Sequence, residues 1–422
     1  MPNAAYGPDG RSGRPFDGPL GVHPGQPARR RGRFGYDGGR EPGWSGRVGV
    51  LGGRSLAPAR APRARRAAPR PYRTRGRARH ARRDAGPAAR ALLTALGAAR
   101  GVDAALGLWT RAGLPLHRTW TDTLPGPARG TLTGAPGADR RALDTWAAER
   151  TGGRVPHLPV PVGPDTEPVL ASALSLRADW FRPFRETYAE VWTGPWAGRI
   201  VPSLYRWSSL LDRIGVTATR AGTVTVARVL GDTGVDVHLL LGEEHMTPGQ
   251  VVAAGTGLLT GRWRAEPGDR LPPGAPGPGL TLEAVREPRP TPPQLCLTVP
   301  SFDLAADLDL TALPEVYGLA AALDGTRGHF PGISPVPLAL EAAAQTATAV
   351  FGPLGFRAAS VTSVSAYAAG VPERRYRSLR LSADFARPFG FLAVHRTSRL
   401  VLASGWVAEP MPYEERDDEE YA

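Results

Sequence analysis

The sequence predicts an α+β fold, in which strands and helices follow one another without regular βαβ alternation. Residues 223–229 and 235–241 alternate apolar and polar side chains, and the turn at 231–234 joins them as a hairpin. Leu92, Leu93 and Leu96 have helical spacing, so residues 88–97 are expected to form a helix that ends at Gly97. No internal repeat is present, which excludes a repeat architecture.

The other predicted elements follow in chain order. Residues 143–150 predict a second helix, which the glycine pair 152–153 ends. Apolar residues are concentrated at 169–180, 295–299 and 379–385, which predicts strands. A second hairpin is predicted for 388–394 and 400–407, a Pro- and Gly-rich loop for 264–279, and a solvated acidic tail for 414–420.

The charge of the chain is unevenly distributed. The 422 residues carry a formal net charge of +13, and all 52 basic residues are Arg. Residues 1–85 contain 20 Arg and 5 acidic residues, so they carry +15 and the rest of the chain −2. This bias is typical of a GC-rich genome.

Residues 1–85 have no apolar period and cannot bury enough surface to offset chain entropy, which predicts a disordered Arg/Gly/Pro-rich segment. One interpretation is an arm that binds nucleic acid through Arg. The other is a misassigned start or out-of-frame translation in GC-rich DNA. We favour the second interpretation and expect no nucleic-acid partner.

The motifs of enzymes, metal sites and membrane spans are absent from the sequence. It contains no GxSxG, HExxH or Walker motif, and the glycines of 255–261 have the wrong spacing for a dinucleotide loop. Cys296 is the single cysteine, and His238 and His245 flank two acidic residues in a spacing more typical of surface groups. No apolar run reaches the length of a spanning helix. We therefore expect no enzyme activity, metal, cofactor or membrane contact.

Several segments of residues 86–410 match motifs of one family in the family's order. They are Leu143-Asp-Thr-Trp-Ala-Ala-Glu-Arg-Thr-Gly-Gly-Arg-Val155, Val169-Leu-Ala-Ser-Ala-Leu-Ser-Leu-Arg-Ala-Asp-Trp180 with Arg182-Pro-Phe184, Val299-Pro-Ser-Phe302, His329-Phe-Pro-Gly-Ile-Ser334, and Asp384-Phe-Ala-Arg-Pro-Phe-Gly-Phe-Leu-Ala-Val394 with Leu400-Val-Leu-Ala-Ser-Gly-Trp-Val-Ala-Glu-Pro410. The last pair corresponds to "F-N-A-D-x-P-F-x-F-x-I" followed by "L-F-x-G-R-V-x-x-P". By these motifs the chain resembles the serpins, of actinobacterial type.

The resemblance implies the serpin fold, with three β-sheets, eight or nine surrounding helices and a C-terminal reactive-centre loop. It implies a monomeric serine endopeptidase inhibitor that acts by cleavage and insertion of this loop. Three regions are expected: the disordered segment 1–85, a serpin domain at 86–410 and the acidic tail 411–422. The family resemblance suggests the extracellular space; since no signal peptide is visible, the cytoplasm is the alternative.

The resemblance also assigns the loop hinge. Gly355 corresponds to the hinge glycine, and the hinge continues through Phe356, Arg357, Ala358, Ala359, Ser360 and Thr362. Small side chains are typical there because each must slide between two strands. The bulk of Phe356, the charge of Arg357 and the missing N–H of Pro353 therefore predict slow insertion.

The family's sheet-opening region corresponds to Ser172, Trp180 and Gln345. Ser172 and Gln345 replace an Asn and a His that hydrogen-bond beneath the sheet in the family. The family's first helices have no counterpart in residues 1–85, so we expect an uncovered apolar face and impaired inhibition.

Two positions for the scissile bond remain open. Counting fourteen residues on from Gly355 leads to Ala369-Gly370, which suits an elastase- or subtilisin-like protease. Counting back from Phe385 leads to Arg377-Ser378, with Arg375 nearby, which suits a trypsin-like protease because Arg pairs bidentately with a carboxylate. We prefer the count from the hinge, because the inserted length must match the sheet.

A second function class also remains open. The chain could be a serpin-fold binding protein without inhibitory action, whose Arg-rich segment contacts nucleic acid or anionic surfaces. An SDS-stable complex with a protease would distinguish the inhibitor from the binding protein.

Overall fold

The computed structural model describes residues 48–49, 91–92, 94–122, 128–326, 330–356 and 376–413. Of the segment 1–85, only Val48–Gly49 is among the described residues, so the prediction of disorder otherwise lies outside them. The acidic residues 414–420 also lie outside.

The described residues form seventeen strands in three sheets. In chain order the strands are β1 (Val48–Gly49), β2 (Val102–Arg111), β3 (Arg129–Leu132), β4 (Val169–Leu176), β5 (Arg185–Val191), β6 (Arg199–Ser208), β7 (Ile214–Thr219), β8 (Gly222–Val229), β9 (Val235–Gly242), β10 (Glu266–Pro267), β11 (Leu280–Glu287), β12 (Gln294–Pro300), β13 (Phe302–Asp309), β14 (Ala342–Phe351), β15 (Tyr376–Asp384), β16 (Phe389–His395) and β17 (Val401–Val407).

Six helices are described, fewer than the family resemblance implies. They are α1 (described residues 91–92 and 94–98), α2 (Arg118–Thr121), α3 (Pro136–Thr151), α4 (Pro248–Leu259), α5 (Pro314–Tyr317) and α6 (Ala320–Leu323). The helix predicted at 88–97 is confirmed over its described residues. Within the described ranges, no helix has both the length and the apolarity that crossing a membrane requires.

The seven-stranded sheet contains both predicted hairpins. Its order is β1-β17-β16-β9-β8-β7-β10, and all neighbouring strands are antiparallel. One face packs on α4, whose first turn is closed by a capping box between Thr247 and Gln250. The glycines of 255–261 belong to this helix and its end: Gly255 lies against Leu240, and a Cβ on Gly257 would meet Trp263, so these glycines are structural.

The second sheet has the order β11-β15-β12-β6-β5. Strand β15 lies between β11, which is antiparallel to it, and β12, which is parallel. Both edges of β15 are therefore hydrogen-bonded to neighbours. Residues 264–279, predicted as a loop, contain the two-residue strand β10 and a short 3-10 turn.

The third sheet has the order β13-β14-β4-β2-β3. Helix α3 packs on one face of it, where Leu143 and Trp146 contact Trp109 and the alanines of β4. The helix begins at Pro136, seven residues before the predicted start, because Asp139 holds the preceding turn by accepting hydrogen bonds from the backbone N and Oγ1 of Thr133, both over 2.8 Å. Gly152 ends it in the left-handed region with φ of 61°.

Candidate functional site

Strands β4 and β14 are parallel neighbours whose pairing stops partway along the sheet. Residues 169–174 of β4 pair with residues 342–347 of β14, and beyond this point the two strands no longer pair with each other. Most of the facing residues are small, as at Ala344 opposite Ala171 and Thr346 opposite Ala173. Small side chains make few cross-strand contacts, and parallel pairing is slightly less stable per residue, so this junction is held more weakly than a pairing of large apolar side chains.

Two of the predicted sheet-opening residues meet in this junction. Gln345 and Ser172 are direct register partners across β14 and β4, and Gln345 is 6% exposed. Trp180 lies eight residues beyond Ser172, where the strands have parted. Ser172 and Gln345 therefore lie where β4 and β14 pair, and Trp180 lies at the mouth of the gap, which is the space between the two strands beyond residues 174 and 347.

An aromatic cluster lines the mouth of the gap. The ring of Trp180 lies 5.0 Å from Phe351 and 6.5 Å from Phe184, measured between ring centroids. The indole Nε1 of Trp180 donates to the carbonyl of Gly352 over 2.9 Å. The carbonyl of Pro353 accepts from the backbone N–H of Phe184 over 2.8 Å, so Pro353 contributes an acceptor although it lacks a donor.

After β14 the chain turns back towards the gap. The N–H of Gly352 donates to the carbonyl of Gly355 over 3.0 Å and closes the turn. The N–H of Phe356 then donates to the carbonyl of Ala178 over 2.7 Å, and Gly355 forms an antiparallel bridge with Asp179. The direction of residues 355–356 is thus opposite to that of β4 and β14, as a strand inserted between them would require.

Phe356 is already part of the core. It is 2% exposed, and its ring lies 6.2 Å from that of Phe391. The sequence predicted that its bulk would hinder entry into the sheet. The structure places the ring in the main core before any cleavage, because the turn at 352–355 directs it inward.

Glycine is required at position 355 by a close approach of two backbones. A Cβ built on Gly355 would lie 2.4 Å from the carbonyl oxygen of Ala178 and 3.0 Å from the Cα of Asp179. Real Cβ atoms do not come this near to backbone, so any side chain would push the turn away from residues 178–179. This contact explains in physical terms why position 355, which the family resemblance assigns to the hinge, is occupied by glycine.

The other side of residues 179–180 is held by the turn between β8 and β9. The N–H of Asp179 donates to Oδ1 of Asp232 over 2.9 Å, and the N–H of Asp232 donates to the carbonyl of Asp179 over 2.9 Å. Arg396 holds this turn by donating from Nε to Oδ2 of Asp236 over 2.9 Å and from a terminal nitrogen to the carbonyl of Gly231. The hydrogen bonds to Asp236 raise the pKa of the Arg396 guanidinium.

The remaining predicted loop residues fall into two groups. Arg377 and Ser378 lie in β15, opposite Arg286 and Val285 of β11, and the Ser378 hydroxyl donates to the carbonyl of Pro292 over 3.1 Å. The predicted residues that lie outside the described ones are Arg357, Ala358, Ala359, Ser360, Thr362, Ala369, Gly370 and Arg375.

The two histidines considered as metal ligands do not converge. Nε2 of His245 lies 2.9 Å from the carbonyl oxygen of Ala221, whereas His238 lies mid-strand in β9. In the part of the chain that the structure describes, no group of three or more His, Cys, Asp or Glu residues could hold a metal ion.

Two features of the region were missed by the sequence analysis. Val48–Gly49 pairs with Ser404 and Gly405 at the edge of the seven-stranded sheet. The sequence signal that could have indicated this strand is the run Val48-Gly-Val-Leu51, which is apolar within an Arg-rich segment. Strand β14 was not predicted, because Ala and Thr repeat along it in place of large apolar residues.

No family model and no curated protein matches the sequence. Solved structures of serpins do match the fold. Human thyroxine-binding globulin is 19% identical with a TM-score of 0.57, over 76% of this chain and 79% of that one. The thermophilic serpin tengpin in its native state is 14% identical with a TM-score of 0.54, over 73% of each chain. Human kallistatin is 16% identical with a TM-score of 0.53, over 76% and 78%.

These likenesses, together with the three sheets, show that the chain has the serpin fold. The likenesses establish the fold only, since every sequence identity is below 20%.

Proposed function

We propose that this protein is a serpin-type inhibitor of serine endopeptidases, which acts by cleavage of its loop and insertion of the cleaved segment between β4 and β14. The observation that carries the proposal is the position of Phe356, which pairs with Ala178 at the mouth of the gap and runs in the direction of an inserted strand. Residues 357–375 then lead to β15 in a different sheet, so cleavage between them would release the segment for insertion.

The register at the mouth supports Ala369-Gly370 as the scissile bond. Gly355 lies opposite Asp179, so each further residue of an inserted antiparallel strand would lie opposite one residue earlier in β4. By this count Ser365 would lie opposite Val169, the first residue of β4. A segment cleaved after Ala369 would therefore span the whole strand, with a few residues left to reach the bound protease.

The alternative bond, Arg377-Ser378, has less support. Both residues pair with β11, and a protease needs an extended segment that is free of such pairing. Insertion up to Arg377 would also leave about twelve residues beyond the end of β4, by the same register. We therefore propose an elastase- or subtilisin-like protease as the partner, with the trypsin-like class as the alternative.

The chemistry begins as ordinary acyl transfer. The hydroxyl of the protease serine adds to the carbonyl carbon of Ala369 and its proton passes to the protease base. The base then returns this proton to the nitrogen of Gly370, so the C–N bond breaks with release of Gly370 as a free amine. The resulting ester joins Ala369 to the protease. Insertion of residues 357–369 would move this ester across the sheet and distort the protease before water can hydrolyse it.

The test is incubation of the full chain with elastase-, subtilisin- and trypsin-like proteases, followed by denaturing electrophoresis. We expect a complex that survives SDS with one of the first two. In the proposed inserted strand, Thr362 would lie on the same face as Phe356, because the two residues are an even number of positions apart. Thr362→Arg should therefore abolish the SDS-stable complex while leaving cleavage of the loop intact. Pro372→Arg, beyond the proposed bond, is the matched control that should keep it. Cleavage without a stable complex in the wild type would favour the non-inhibitory binding protein.

A further inference from the structure

An apolar cavity lies mainly on the face of the third sheet opposite α3 and extends past the free edge of β2 to the last turn of α3, since Ala105 and Arg150 also line it. Its volume is about 620 Å3, within the range of about 300–1,000 Å3 that is usual for small-molecule sites. Leu106 and Leu108 of β2, Leu170 of β4, and Leu338 and Leu340 before β14 form much of its wall. The site shares no residue with the hinge, so it is separate from the proposed insertion site.

The cavity is elongated along β2. Both Ala104 and Thr110 line it, and six residues of strand separate them by about 20 Å. Leu106, between the two, has 41% of its surface exposed, which is unusual for a leucine in a sheet with apolar neighbours. The space is therefore long and open along one side rather than round and closed.

One end of the cavity carries an ionisable side chain. Among the described residues that line the space, Arg150, in the last turn of α3, is the only charged one, and it is exposed at the rim. Helix α3 runs antiparallel to β2, because Trp146 lies over Gly107 and Asp139 holds the turn after β3. Arg150 consequently lies near the Ala104 end. No acidic residue among those described forms an ion pair with it.

We propose that this cavity binds a long-chain aliphatic carboxylate, with the acyl chain along β2 and the carboxylate at Arg150. The apolar wall matches an extended hydrocarbon chain, and the solvent-exposed guanidinium allows the head group to stay hydrated while it pairs with the cation. A neutral or cationic amphiphile of the same length lacks this partner. The charge at one end therefore selects the anion.

The test uses the full chain and cis-parinaric acid, a fatty acid whose fluorescence rises in apolar surroundings. We expect saturable binding of one equivalent, displaced by palmitate but weakly by hexadecanol. Arg150→Glu should weaken binding at least about fivefold, because a charge-assisted contact is replaced by repulsion. Arg141→Glu, on an exposed position of the same helix outside the cavity, should leave the affinity within about twofold.

Leu106→Glu tests the acyl-chain part of the site. It should abolish binding, whereas Leu210→Glu, at a leucine 43% exposed and outside the cavity, should not. Thermal melting establishes that each variant is folded. Three results would overturn the proposal: no saturable fluorescence change in the wild type, equal displacement by palmitate and hexadecanol, or a dimer in size-exclusion chromatography that Leu106→Glu dissociates, which would make a second copy the occupant.

Discussion

The backbone N–H of Phe356 donates to the carbonyl of Ala178 over 2.7 Å, and this contact joins the chain after β14 to the chain after β4. The two strands have already parted at this level, so Phe356 lies in the gap between them with its ring in the core. Residues 355–356 therefore already run in the direction that the proposed insertion requires.

Replacement of Phe356 should destabilise the uncleaved and the cleaved protein alike. In the inserted register Phe356 keeps its place opposite Ala178, so Phe356→Thr should lower the free energy of unfolding of both forms by about 2–4 kcal/mol. Urea denaturation before and after loop cleavage measures this. The sequence alone predicted instead that the bulk of Phe356 slows insertion, which would make the smaller side chain favourable in the cleaved form. A higher free energy of unfolding for the cleaved variant alone would instead show that the ring of Phe356 obstructs entry of the loop into the sheet.

Gly355→Ala should displace the turn at 352–355. Its Cβ would lie 2.4 Å from the carbonyl oxygen of Ala178, and we expect a loss of about 1–3 kcal/mol in the free energy of unfolding. Gly332→Ala is the matched control, since a Cβ there meets nothing within 4 Å. Equal melting temperatures for the two variants would contradict the close approach.

Loop cleavage should release a C-terminal fragment that begins at Gly370 and ends at Ala422. Mass spectrometry after digestion with an elastase-like protease measures its mass directly. We expect the same bond to be used by a subtilisin-like protease, because both accept a small side chain such as Ala369. A fragment that begins at Tyr376 or Ser378 would assign the bond to the Arg cluster instead.

Arg396→Ala should cost more than the loss of an ordinary surface ion pair. Asp236 is 4% exposed and would lose its guanidinium partner, so we expect a loss of about 1–3 kcal/mol in the free energy of unfolding, less than for a fully buried pair because Arg396 is partly exposed. Arg199→Ala removes an exposed pair with Glu409 and should cost about 0.5 kcal/mol or less. Thermal melts of the two variants side by side provide the measurement.

The stability of the fold should fall in mild acid through His238. Burial lowers the pKa of this imidazole from 6.5 to about 4, with a smaller contribution from the Arg228 guanidinium and opposition from Asp236. Because the folded pKa is the lower one, the contribution of the neutral form is complete above about pH 6.5 and is lost as the pH falls towards 4.

The corresponding test is urea denaturation at pH 7 and pH 4.5. Between pH 7 and pH 4.5 the free energy of unfolding should fall by about 2 kcal/mol less in His238→Leu than in the wild type. This is the order of magnitude that corresponds to a pKa shift of this size. Equal losses in the two proteins would show that His238 is not the group responsible.

Several elements follow from local sequence. The hairpin β16–β17 is confirmed, because its two short runs of apolar residues and the intervening turn at Thr397-Ser398 lie within one short segment. The end of helix α3 was predicted to within one residue, at Arg150 instead of Thr151, because Gly152 adopts the left-handed conformation that terminates a helix. Its start was placed too late, because the hydrogen bonds from Thr133 to Asp139 involve residues before the apolar pattern begins.

Other features depend on residues far apart in the chain. Sequence motifs aligned Gln345 and Ser172 with the family's opening region, but their direct pairing joins strands more than 160 residues apart. Strand β15 pairs with both β11 and β12, which lie about 80 to 100 residues earlier in the chain, and no local pattern encodes these pairings.

By itself, the sequence determined the fold class and the two hairpins, because each depends on side-chain pattern or on a short motif, whereas the hinge glycine and the residues that border the opening stay predictions from the family resemblance. Only the tertiary structure decided that Phe356 lies inside the core, that Gly355 is required by the carbonyl of Ala178, and that an elongated apolar cavity has Arg150 at its rim. The reason is physical: steric contact and burial depend on which distant backbones meet, and a side chain's bulk is an obstacle or an anchor according to the space that the fold provides for it.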